Sequence, residues 1–133
     1  MQSLEIKRVL NLLKNNTKNI SFLDIRERKE YVHGFAFGSV NCPFSKFKYL
    51  IKELVPDVNT TLILIGIKNI NQKTQIQKIL KKLKYHRSFI IKGDYKIWKK
   101  NKFPLWAGEY TFSLSFVEWI VITSNIKNLY GKE

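Results

Sequence analysis

A single cysteine, Cys42, stands in the whole 133-residue chain. One thiol cannot close an intramolecular disulfide or build a multi-cysteine metal cluster, so a reducing, cytoplasmic setting is the expectation. Proline and glycine are also scarce, three and six residues against 44% hydrophobic and 14% aromatic content. A chain with that much apolar side chain can offset its ordering entropy, which excludes a disordered or collagen-like polymer. Long apolar runs are missing too. The longest, Phe112 to Ile122, is interrupted by Glu118 and falls short of the ~20 residues that cross a bilayer. Glu5, Lys7, Arg8, Lys14 and Lys18 break up the first twenty residues, leaving no apolar core for a signal peptide.

Acidic residues are few, ten against 24 lysines and arginines, for a net charge of +14. Such an excess invites a nucleic-acid reading, because clustered cations displace counterions from phosphates. Yet the only arginines are Arg8, Arg26, Arg28 and Arg87, whereas groove and phosphate recognition favours the bidentate guanidinium. The lysines therefore read as a solvated surface, with a basic nucleic-acid binder using Lys73 to Lys84 and Lys96 to Lys102 kept as an alternative. His33 and His86 are far apart and lack an acidic partner at ligand spacing, so neither a metal nor a cofactor is expected.

What is present is an alternation of periodicities. Ile6, Val9, Leu10 and Leu13 repeat at helical spacing, with Ser3 as the expected N-cap and Asn15-Asn16 as the end. Ile20 to Ile25 reads as a buried strand that delivers Asp24 and Arg26 to its carboxyl edge. A polar helical turn over 27–33 closes at Gly34, and Ser39 to Pro43 reads as a second short strand. Phe47, Leu50, Ile51 and Leu54 form a helical stripe that Pro56-Asp57 stops. Leu62 to Ile67 is a continuous apolar run, as found where both faces of a parallel sheet are covered, and so is expected at the centre. Ile76, Ile79, Leu80 and Leu83 mark a helix starting near Gln72, followed by a strand over Ser88 to Lys92, a helical turn around Trp98 and a stop at Phe103-Pro104. The alternation predicts an α/β fold with a central, mainly parallel sheet flanked by helices, one domain over 1–107. Residues 108–133 break the pattern. Phe112, Phe116, Trp119 and Ile120 would pack this tail on the domain or on a second copy, making a homodimer.

Two stretches carry a recognisable pattern: Leu23-Asp-Ile-Arg-Glu-Arg-Lys-Glu-Tyr31 and Gly34-Phe-Ala-Phe-Gly-Ser-Val-Asn-Cys-Pro43. They resemble the rhodanese family, which reads Asp-Val-Arg-Glu, Glu-Tyr, Gly-His-Ile-Pro-Gly-Ala and Asn-Ile-Pro in this order. Asp24, Arg26, Glu27, Glu30, Tyr31, Gly34, Gly38, Asn41 and Pro43 fall on that pattern, and Val55-Pro-Asp57, Lys92-Gly93, Trp98 and Pro104 match later landmarks. The resemblance spans about residues 4 to 106 and implies a sulfurtransferase fold with a persulfide-bearing cysteine directly after the central strand. In this chain that position falls on Gly66. A glycine supplies no nucleophile for sulfur transfer. The degenerate loop Gly66, Ile67, Lys68, Asn69, Ile70, Asn71 and Gln72 also lacks the arginine-serine or arginine-threonine ending of the family.

Cys42 falls on the isoleucine of Asn-Ile-Pro and is expected to be buried and inert. Asp24 and Arg26 are expected to support the loop as an ion pair. The expected function is a catalytically inactive rhodanese-like module that binds or regulates, or one domain of a larger sulfurtransferase assembly, with a protein as partner. An active thiosulfate-type sulfurtransferase using Cys42 or a partner's cysteine is the alternative. Because Lys68 and Lys73 flank a helix N-terminus, a weak anion site at the loop stays open beside protein docking through Ile67 and Ile70.

Overall fold

The computed structural model describes residues 1–15, 19–36, 38–91 and 105–106. Five strands form one parallel sheet: β1 (Gln2–Leu4), β2 (Ile20–Asp24), β4 (Val40–Asn41), β5 (Thr61–Ile65) and β6 (Ser88–Ile91). Their order is β1-β6-β5-β2-β4, with β5 in the middle. Every residue of β5 is buried, which is why its sequence is an unbroken apolar run. A separate antiparallel pair joins β3 (Phe35–Ala36) to β7 (Leu105–Trp106).

The helices are α1 (Ile6–Asn15), α2 (Arg28–Tyr31), α3 (Phe47–Leu54) and α4 (Ile70–Lys82), with a short 3-10 turn at Phe44–Lys46. The connections β4-α3-β5 and β5-α4-β6 step across the sheet in the same direction, so right-handed crossovers put α3 and α4 on one face. The core agrees. Phe47 and Ile51 of α3 and Ile76 and Leu80 of α4 cluster with Leu23, Leu62 and Leu64. The β1-α1-β2 connection steps the opposite way, which assigns α1 and its buried Ile6 and Val9 to the other face.

Four expectations need correction. Ser3 caps no helix: it lies in β1, paired with Ile90, and α1 begins only at Ile6, after the Glu5 carbonyl accepts from the Val9 amide at 3.1 Å. The strand expected over Ser39 to Pro43 is only Val40–Asn41, because the 3-10 turn begins directly after Pro43. Ile70, Asn71 and Gln72, expected in the loop, form the first turn of α4. Leu54, the last member of the α3 stripe, is exposed. The helical turn around Trp98 and the tail 108–133 lie outside the described residues. Among the described residues no helix is long and apolar enough to cross a membrane.

Candidate functional site

The carboxyl ends of β2, β4 and β5 meet at one edge of the sheet, which is where open α/β sheets place their ligands. Asp24, the last residue of β2, is fully buried, and burying a carboxylate is costly unless it is paired and hydrogen-bonded. Arg26 supplies the pairing. Its backbone amide donates to Asp24 Oδ1 at 2.9 Å, its Nε lies 3.1 Å from both carboxylate oxygens, and its Nη2 donates to Oδ2 at 2.9 Å. Nη2 also donates to the Gly34 carbonyl at 2.7 Å, tying the pair to the turn after α2. Asn41 completes the arrangement: its Nδ2 donates to the carbonyls of Asp24 (3.0 Å) and Arg26 (2.8 Å), fixing β4 to the end of β2. Glu27, next in the chain, accepts from the Ser45 hydroxyl at 2.6 Å and the Ser45 amide at 3.2 Å, which anchors the 3-10 turn.

Gly66 follows β5 and sits against this pair. Its φ is +98°, a conformation open to glycine and strained for any residue with a side chain. A Cβ at this position would lie 2.7 Å from Arg26 Cγ and 3.1 Å from Asp24 Oδ1. The backbone of the strand end and the Asp24–Arg26 pair thus fill the space a side chain would need.

Beyond Gly66 the loop is closed by its own side chains. Asn69 is the N-cap of α4, its Oδ1 accepting from the Gln72 amide at 2.9 Å. Gln72 reaches back in turn, its Oε1 accepting from the Lys68 amide at 3.0 Å. Asparagine followed three residues later by glutamine is a capping-box spelling, a sequence signal that places the helix start at Ile70. The Lys68 ammonium lies 3.0 Å from Glu30 Oε1, and that hydrogen bond holds the Glu30 carboxyl below its usual range. Two amides and the ammonium of this loop therefore meet acceptors within the chain. Ile67 is half-buried against the core, while Ile70 is 73% exposed.

Cys42 lies elsewhere. Its amide donates to the Asp24 carbonyl at 2.8 Å, while its side chain is fully buried in the apolar cluster under α3 and α4. Burial pushes the thiol up to about 12, far from the thiolate that sulfur chemistry uses. Among the described residues no group of three His, Cys, Asp or Glu side chains could hold a metal. Asn41, Gly34 and Ser45 were not among the expected site residues; Asn41 and Gly34 stand in the recognised motif, whereas nothing in the sequence marks Ser45 as the partner of Glu27.

A buried aspartate-arginine pair at the end of a central parallel sheet, beside a glycine-led loop into a helix, defines an α/β domain of the rhodanese type. The family model for the rhodanese-like domain matches residues 6–101, and the chain belongs to that family. Solved structures agree on the fold. The Alr3790 protein from Anabaena sp. superposes with a TM-score of 0.68 at 17% identity, over 80% of this chain and 94% of that one. The thiosulfate sulfurtransferase from Pseudomonas aeruginosa gives 0.69 at 17% identity, over 81% of this chain but 20% of its own length. A rhodanese with anions from E. coli gives 0.52 at 25% identity, over 67% and 99%. No curated protein matches the sequence.

Proposed function

We propose that this rhodanese-like domain carries no sulfur itself and works as a binding or regulatory module, alone or beside a catalytic domain. The observation that carries this reading is the setting of Gly66, the position to which the resemblance assigns the family's cysteine. There is no thiol at residue 66, and a Cβ there would meet Arg26 Cγ at 2.7 Å. The one thiol of the chain, Cys42, is buried with its proton held on up to about pH 12. Sulfur transfer from thiosulfate needs a thiolate that attacks the outer sulfur and releases sulfite, forming a persulfide that a second nucleophile then takes over. Neither position supplies one. The self-capped amides argue further against an anion at the loop, and the exposed Ile70 at its tip favours a protein partner. The Pseudomonas sulfurtransferase, of which this chain covers a fifth, is an example of such a fold within a longer chain.

The test is the full chain incubated with thiosulfate, followed by intact-mass spectrometry and by thiocyanate release on adding cyanide. No sulfur adduct and no thiocyanate are expected. Thiocyanate release that disappears in Cys42→Ser would replace this reading with the sulfurtransferase one. Gly66→Cys is expected to load little or no sulfur, because the new side chain displaces Arg26; efficient loading would mean that the loop is still a working persulfide cradle.

A further inference from the structure

The far end of the sheet, opposite Gly66, holds a second feature. Between the amino ends of β1 and β6 and the last turns of α4 lies a cleft of about 390 Å³. Its polar lining is made of groups that can donate, Gln2, Gln77, Lys81, His86 and Ser88, and the lining contains no carboxylate. Phe89, partly exposed and in register with Gln2, adds an aromatic wall.

The chain that builds this end is rich in cations. The sequence has no Asp or Glu between Asp57 and Asp94, while Lys73, Lys78, Lys81, Lys82, Lys84 and Arg87 fall in that stretch. All of these but Lys73 are exposed. Lysines in the last helical turn complement the helix dipole, which accounts for Lys81 and Lys82. It does not account for Lys84. Helix α4 ends in a Schellman motif: the Tyr85 amide donates to the Leu80 carbonyl at 2.9 Å and the Lys84 amide to the Lys81 carbonyl at 3.1 Å. Lys84 occupies the left-handed position of that motif, φ 69°, where glycine is the favoured residue. A lysine thus stands at a place where the backbone favours glycine, directly before Tyr85 and His86 of the cleft lining.

We infer that this end of the domain binds single-stranded nucleic acid. Lys81 and His86 line the cleft, and the exposed Lys78, Lys82, Lys84 and Arg87 are each next in sequence to a lining residue, the first two on α4 and the others beyond its end, an arrangement that a chain of phosphates meets more fully than one small anion does. Phe89 offers a face on which a base can stack, and Gln2 and Gln77 offer amides to its edge. Few arginines stand here, and the lysines would meet phosphates as point charges that release counterions, without the sequence reading that a bidentate guanidinium gives.

The experiment is fluorescence anisotropy of a labelled twelve-residue oligothymidylate with the full chain, titrated with sodium chloride. Three to four phosphate contacts give a slope of log affinity against log salt of about −2 to −3. The double variant Lys81→Gln, Lys82→Gln should weaken binding at least tenfold, and Lys48→Gln, Lys52→Gln on α3 should change it less than twofold. Lys84→Gly separates binding from folding, because it is expected to raise the melting temperature while lowering affinity several-fold. Phe89→Leu should weaken binding and leave the salt slope unchanged. Absence of binding at low salt, an equal loss from the α3 lysines, or equal affinity for duplex DNA or for phosphatidylserine vesicles would overturn the assignment.

Discussion

Arg26 Cγ lies 2.7 Å from the point a Cβ would occupy on Gly66, so the glycine and the arginine fit only because one of them has no side chain. Gly66→Ala meets two penalties at once: a positive φ of 98° and a contact that forces the buried ion pair to shift. The expected loss of stability is about 1–3 kcal/mol, read from urea unfolding midpoints at unchanged slope. An alanine variant as stable as the parent would mean that the loop relaxes freely around residue 66.

The pair itself should matter more. Asp24 is fully buried and the Arg26 side chain is 11% exposed, so removing one partner strands the other away from water. Asp24→Ala is expected to cost about 3–5 kcal/mol, while the joint replacement of both by apolar residues of similar volume should cost much less. Differential scanning fluorimetry of the two single variants and the double variant checks this. Additive losses would show that the two residues are held independently.

These penalties bear on how far the sequence spoke for itself. The β5 strand was legible because burial on both faces leaves an unbroken apolar run, and α4 because Ile76 and Leu80 sit four residues apart on its buried side. Strand β1 was not, since three residues carry no periodicity and their pairing with β6 spans most of the described chain. Ser3 looked like a helix cap for the same reason: local chemistry favours a cap, and a long-range ladder overrode it. At the site, the Asp24–Arg26 spacing was readable from the motif, but the positive φ of Gly66 and the return of Gln72 onto the Lys68 amide are three-dimensional facts.

The capping arrangement at α4 gives a separate expectation. Asn69→Ala removes the acceptor of the Gln72 amide and should cost about 1 kcal/mol, whereas Asn69→Asp keeps the acceptor, adds a charge favourable to the helix dipole and should be neutral or stabilising. Thermal unfolding of both variants decides it. Equal destabilisation by alanine and aspartate would mean that the side-chain cap contributes nothing.

Cys42 ties the thiol chemistry to the pH dependence of folding. Its proton is held up to about pH 12 in the fold against an ordinary value of 9.0, because burial penalises the thiolate. Between those values the unfolded chain releases a proton that the folded chain keeps, so the unfolded state binds fewer protons and stability falls as pH rises. One such group contributes a slope of up to about 1.4 kcal/mol per pH unit. Tyr31, raised to about 12 by burial with its hydroxyl donating to the Ser39 carbonyl at 2.6 Å, adds a second descent that begins near its ordinary 10.0. Urea unfolding from pH 7 to 11 should therefore show stability flat at first and declining from about pH 9. Cys42→Ala removes the first descent, so its curve should start lower, having lost a buried side chain, and stay flat until the Tyr31 descent begins near 10.0. Parallel curves for the parent and Cys42→Ala would show that the thiol ionises in the fold as readily as in the unfolded chain, and the reading of Cys42 as an inert core residue would fall with it.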